Sequence, residues 1–118
     1  MALLTGRREM TTVQLDLDKL AGSGKVKNLS GKERGIAARA ELHLDELDRD
    51  DNTVEVLVPD YVDAISPSYF QGLFSGSIQR LEGKKAFLEK YKFIANSRVL
   101  RWIDIGIRNA TSSREDLI

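Results

Sequence analysis

The side chains able to do chemistry are few, and most stand alone. His43 is the single histidine, set between Leu42 and Leu44, and the chain has no cysteine. A lone imidazole can act as a base, but there is no thiol for it to activate and no Gly-x-Ser-x-Gly nucleophile turn. The lack of cysteine also excludes disulfides and thiolate zinc sites. His43 is therefore expected to be a half-buried structural residue. "GSGK", Gly22 to Lys25, invites comparison with a phosphate-binding loop. The Walker pattern needs a glycine where Lys19 stands and a Ser or Thr where Val26 stands, so the hydroxyl that would hold magnesium is missing. A turn between strands is the expected role.

Two charged groups come next. Asp45, Glu46, Asp48, Asp50 and Asp51 could attract a divalent ion, but the stretch lacks calcium-loop spacing, with no glycine at the sixth position and no closing glutamate at the twelfth. A solvated helix end is expected, and no metal or other cofactor. Arg98, Arg101, Arg108 and Arg114 could engage phosphate or an acidic partner, and Arg101 and Arg108 share a helix face. Eighteen basic residues balance eighteen acidic ones. That neutrality gives no bulk attraction to nucleic acid or to an anionic membrane, so these arginines read as a solvated basic face.

Ser66-Pro67-Ser68 is the strongest candidate. Ser66 suits a helix N-cap, and Pro67 suits the first helical position, where its missing amide is not needed. Capping explains those two residues and does not require Ser68. A serine there stands where helix amides and the helix dipole favour an added phosphate. Phosphorylation would add about −1.5 to −2 charge, repelling an acidic partner or recruiting an arginine. Both readings, cap and switch, stay open, with Ser68 and Ser66 the candidate acceptors.

The elements that would position these residues follow from periodicity. Val13, Leu15 and Leu17 alternate over 11–17, which is strand spacing. A Gly-rich turn and a short returning strand follow. Ser30 to Glu33 fits a capping box for a helix running to about Asp48, with Ile36, Ala40, Leu44 and Leu47 as its apolar stripe. "TVEVLV", 53–58, reads as a strand inside the sheet, ended by Pro59. Phe70, Phe74, Ser77, Ile78 and Leu81 recur at helical spacing up to Gly83, a good residue for the left-handed position after a helix. Gly72 and Gly76 lie four apart on that helix. Each costs about 1 kcal/mol against alanine, which suggests close approach to a neighbouring element. "KKAFLEK" offers one helical turn and "YKFIA" a strand. Ser97 can cap a last helix with Val99, Ile103 and Gly106 inward, Trp102 beside them, and an Asp104–Arg108 pair outside.

The 118 residues suit one domain with a single modest core. The division expected is a leader or disordered segment at 1–10, a domain at 11–110 and a flexible tail at 111–118, with Met1 or Met10 as the native start. No apolar run approaches the roughly 20 residues that span a bilayer, and the first residues are not a secretion signal. A cytoplasmic protein with no membrane contact is the reading.

"SGKERGIAARAEL", "VEVLVPDYVDAISPSYFQGLF" and "YKFIANSRVLRWIDIGI", taken in order, resemble STAS domains, and more closely the STAS-like domains of unknown function. The resemblance covers about residues 11 to 110. It implies an α/β fold with a mixed, mostly parallel sheet of four to five strands and about three helices largely on one side. STAS domains generally bind partners and do not catalyse. The bacterial anti-sigma factor antagonists of this type bind a histidine-kinase-like ATPase that phosphorylates a serine at a helix start, within Asp-Ser-x-Gly. Aligned on Ile65, this sequence puts Ser66 on the aspartate, Pro67 on the phosphoserine and Tyr69 on the glycine. The resemblance therefore implies a regulatory protein-binding module more than a phosphoswitch. Its contact surface would be the Ser66 turn, Ser68 and the exposed faces of Tyr69 and Gln71. The alternatives are a self-associating assembly protein and, ranked lower, a nucleotide-binding protein or enzyme.

Overall fold

The β-branched run Thr53–Leu57 forms a strand at the centre of a parallel sheet, as its composition predicts. In the computed structural model, which describes residues 10–14 and 28–115, it is β3. It pairs on one side with β1 (Met10–Gln14) and on the other with β5 (Tyr91–Ile94), both parallel. A second, two-stranded parallel sheet joins β2 (Asn28–Leu29) to β4 (Ala64–Ile65). The α/β class and the parallel pairing agree with expectation. Among the described residues, however, the strands divide into sheets of three and two, where one sheet of four to five was expected. β2 runs parallel to β4 and does not return along β1. Met10 already belongs to β1. The rest of the expected 11–17 strand and the Gly22–Gly24 turn lie outside the described residues.

Five helices occur among the described residues, two more than expected. α1 (Lys32–Glu41) and α2 (Leu44–Arg49) replace the single helix to Asp48. The break is His43, which takes the left-handed conformation at φ 57°, a region in which histidine is enriched over most residues. His43 is exposed, not half-buried. Nor does the Ser30–Glu33 box form: Gly31, at φ 94°, is the N-cap and makes no side-chain cap bond. The helix starts one residue later than that box needs.

α3 (Pro67–Arg80) carries the core face, with Tyr69, Phe70, Leu73, Phe74, Ser77 and Ile78 all buried. Phe74 is the hub of an aromatic cluster. Its ring centroid lies 5.4 Å from Phe70, Phe87 and Phe93 and 5.3 Å from Tyr91. These rings cover the face of the sheet on which Val54 and Val56 are fully buried. α3 ends through Glu82, left-handed at φ 66°, and Gly83 at φ 134° then caps α4 (Lys84–Lys90).

α1 crosses α3 at two glycines. A Cβ on Gly35 would lie 2.2 Å from the Tyr69 carbonyl oxygen, and one on Gly72 would lie 2.3 Å from the Lys32 carbonyl oxygen. The close approach expected of Gly72 is present, and Gly35 is its counterpart. It also explains why the buried positions of α1 are Gly35 and Ala38 instead of the stripe expected through Ile36 and Ala40. A β-branched side chain at that crossing would hold the backbones apart, and Ile36 is turned outward at 50% exposure.

α5 (Ser97–Glu115) packs Val99, Ile103, Gly106 and Ile107 inward. Its cap is Asn96 in place of Ser97: the Val99 amide donates to Asn96 Oδ1 at 2.9 Å, while Asn96 Nδ2 donates to the Val62 carbonyl. The helix continues through the first residues of the segment expected to be a tail.

Candidate functional site

β4 delivers the chain to the Ser66 turn. Ile65 is buried, and the Ser66 amide donates to the Leu29 carbonyl at 2.8 Å, prolonging the β2–β4 pairing by one bond. Ser66 is then extended at φ −66°, ψ 153°, and its Oγ accepts from the Tyr69 amide at 3.1 Å. Pro67 occupies the first helical position. The capping expected of these two residues is therefore present. The Ser66 and Ser68 hydroxyls lie 3.2 Å apart. Ser68 is exposed, as is Gln71 one turn on.

Tyr69 corrects the expected contact surface. It is 1% exposed, and among the described residues its hydroxyl has no hydrogen-bond partner. Burial pushes that phenol well above its ordinary pKa. The reason is register: position 69 begins the stripe 69, 70, 73, 74, 77, 78 that faces the core, leaving 68 and 71 outside. Pro67, Ser68 and Gln71 open on a cleft of about 270 Å³, whose other wall is Gly106, Asn109 and Ala110 of α5. Gly106 permits that approach, because a Cβ there would lie 2.6 Å from the Phe70 ring.

The basic face does not join this cleft as one surface. Arg98 pairs with Asp63 at 2.9 Å and Arg108 with Asp104 at 2.6 Å, and Arg101 is exposed. The Arg108 pair holds the Asp104 carboxyl below its ordinary pKa. These are exposed pairs of the kind that contribute little.

A second constellation was missed in the sequence. The Asp48 side chain is completely buried. It accepts from Arg39 Nη2 at 2.7 Å, from Ser77 Oγ at 3.0 Å and from Tyr91 Oη at 2.5 Å. Arg39 also donates to the Leu73 carbonyl, to Ser77 Oγ and, through Nε and Nη2, to Asp45. Its neighbours Asp48 and Asp45 hold the guanidinium pKa up against the opposing effect of burial. One carboxylate thus ties α1, α2, α3 and β5 together. Asp48 was expected in a solvated helix end. The signal was its spacing of four from Leu44, which puts both on the buried face once the helix restarts after His43.

Lys90 is likewise buried and fully engaged, donating to the Asp50 carbonyl, the Asn52 carbonyl and Asp50 Oδ1. Both sets are saturated internal hydrogen-bond networks. Opening either to a substrate would strand a buried charge, so they act as structural braces.

Among the described residues there is no group of three or more His, Cys, Asp or Glu placed to hold a metal ion. No helix among them is long and apolar enough to cross a membrane. The "GSGK" segment lies outside the described residues. No family model matches the chain, and no curated protein or solved structure matches it either.

Proposed function

We propose that the protein is a regulatory protein-binding module, not an enzyme, that meets its partner through the start of α3. The observation carrying this reading is the exposure of Ser68 and Gln71 beside a cleft, on a helix start held rigid by the Ser66 cap, Pro67 and the buried Tyr69 and Phe70. Contact groups on a preorganised helix lose little freedom on binding. Arg39 and Tyr91, two of the polar groups with perturbed surroundings, are instead engaged in the brace. The resemblance to STAS-like domains supports the same role. It suggests a histidine-kinase-like ATPase as the partner class and the cytoplasm as the place.

Ser66 Oγ is already committed to the Tyr69 amide, so Ser68 is the hydroxyl open to phosphorylation. The test is titration calorimetry against a purified histidine-kinase-like ATPase encoded beside this protein, with intact mass read after adding ATP. Gln71→Arg and Ser68→Arg should each abolish binding. Wild-type affinity in both variants would remove the α3 surface from the account. No mass gain, with unchanged binding in Ser68→Ala, would remove the phosphoswitch alone.

Self-association has its own support in Ile94 and Leu100, exposed at 49% and 42%. Light scattering across a concentration series tests it, and a strict monomer at every concentration would eliminate it.

A further inference from the structure

Among the described residues β5 is the last strand of its sheet, so one of its edges has no neighbouring strand there. The Ile94 carbonyl accepts from the Val58 amide. In a parallel ladder the bonding direction alternates along the strand, so Lys92 and Ile94 address β3 while Phe93 turns its amide and carbonyl to the open edge. The Tyr91 amide is taken by the Phe87 carbonyl, leaving the Tyr91 carbonyl beside them. Exposed edges of this kind template an added strand unless they are covered or charged.

The open edge runs beside a mainly apolar groove of about 330 Å³ between β5 and α5, lined by Leu88, Phe93, Leu100, Ile103 and Ile107 together with the charged Lys92 and Asp104. Side chains of an added strand that stand beside Tyr91 and Phe93 would enter this groove. On the opposite face of the sheet the register sets Thr12, Glu55 and Lys92 in one row and Leu57 and Ile94 in the next. Glu55 stands beside Lys92 in that row, and an acidic residue on the far side of Lys92 would complement its charge in the same way. The row ending in the exposed Ile94 continues with an apolar residue.

We propose that the free edge of β5 binds an extended segment of a partner protein as an added strand, with an acidic residue opposite Lys92 and apolar residues opposite Tyr91, Phe93 and Ile94. A second copy of this chain fits less well. A two-fold pairing centred on Lys92 opposes like charges. One centred on Phe93 sets Lys92 against Ile94, and one centred on Ile94 carries Lys92 past the strand to Asn96. Opposite charges directly across strands stabilise, and like charges destabilise. This surface is separate from the Ser68–Gln71 contact, and its test uses neither residue.

The test is an amide chemical-shift titration of the whole protein with the peptide acetyl-Ser-Val-Glu-Val-Val-Glu-Val-Ser-amide. That sequence presents the required order in either strand direction. Its counterpart carries lysine in place of both glutamates. The glutamate peptide should perturb the Phe93 amide saturably, slow its hydrogen exchange and bind about threefold or more tighter than the lysine peptide. Lys92→Glu, a change at an exposed position, should reverse that preference. Equal binding of the two peptides, no effect at Phe93, or a preference unchanged by Lys92→Glu would overturn the proposal. So would protection of the Phe93 amide that grows with protein concentration in the absence of peptide, because a second copy would then hold the edge.

Discussion

Replacing Gly72 by alanine should destabilise the protein, although helix propensity alone says the reverse. An interior helical glycine costs about 1 kcal/mol relative to alanine, so the substitution would stabilise an isolated α3. In the fold, the new Cβ would stand 2.3 Å from the Lys32 carbonyl oxygen and 2.9 Å from the Ile36 amide nitrogen. Carbon–oxygen contacts settle at about 3.3–3.6 Å, so α1 and α3 must separate by about 1 Å. The obstructing atoms are backbone and cannot swing aside. Overpacking of this sort costs about 1–3 kcal/mol. Taking the upper end and subtracting the propensity gain leaves a net loss of about 2 kcal/mol, or about 8 °C in Tm for a chain of this size.

The assay is equilibrium urea unfolding, with Gly76→Ala as the control on the same helix. A Cβ at Gly76 meets only the Arg39 guanidinium, at 3.6 Å, so that variant should gain up to about 1 kcal/mol. Opposite signs for the two variants are the expected result. If Gly72→Ala is as stable as the parent or more so, the close crossing of α1 and α3 is wrong.

Three further outcomes follow from the same contacts. Asp48→Ala should cost about 3–5 kcal/mol by leaving Arg39 without its buried partner, whereas Tyr91→Phe, which loses one bond to the charged carboxylate, should cost about 1.5–3 kcal/mol; denaturant midpoints check the order. Ser66→Ala should cost about 1 kcal/mol through the lost cap, measured in the same way, with fraying shown by faster exchange of the Tyr69 amide. Asp45 is held below its ordinary pKa of 3.8 by its hydrogen bond to Arg39, and Asp104 is depressed likewise by Arg108. Because the folded-state pKa is the lower one, their stabilisation is present above 3.8 and is lost as pH falls through the folded value. The Tm difference between the parent and an Asp45→Asn, Asp104→Asn variant should therefore be flat above that pH and close below it.

Local chemistry was legible where one residue decides it. Ser66 and Pro67 set the start of α3, and the β-branched 53–57 run sits in the middle of its sheet. The apolar spacing of Val99, Ile103 and Gly106 gave the inward face of α5. What escaped were features fixed by tertiary fit. The left-handed turn at His43 splits one amphipathic pattern into two helices and turns Asp48 inward. The glycine crossing reverses the expected face of α1 and exposes Ile36. Tyr69 shows the same limit at the candidate site. Position in a turn suggested a contact, but the register of α3 assigns it to the core and leaves Ser68 and Gln71 outside.

The most direct test of the partner-binding account is hydrogen exchange across the whole chain, free and with the proposed partner, a histidine-kinase-like ATPase, added. Slowed exchange centred on the segment from Ser68 to Gln71 is the result expected if the start of α3 is the contact surface. Protection confined to the α2–β3 loop, with the start of α3 unchanged, would contradict it.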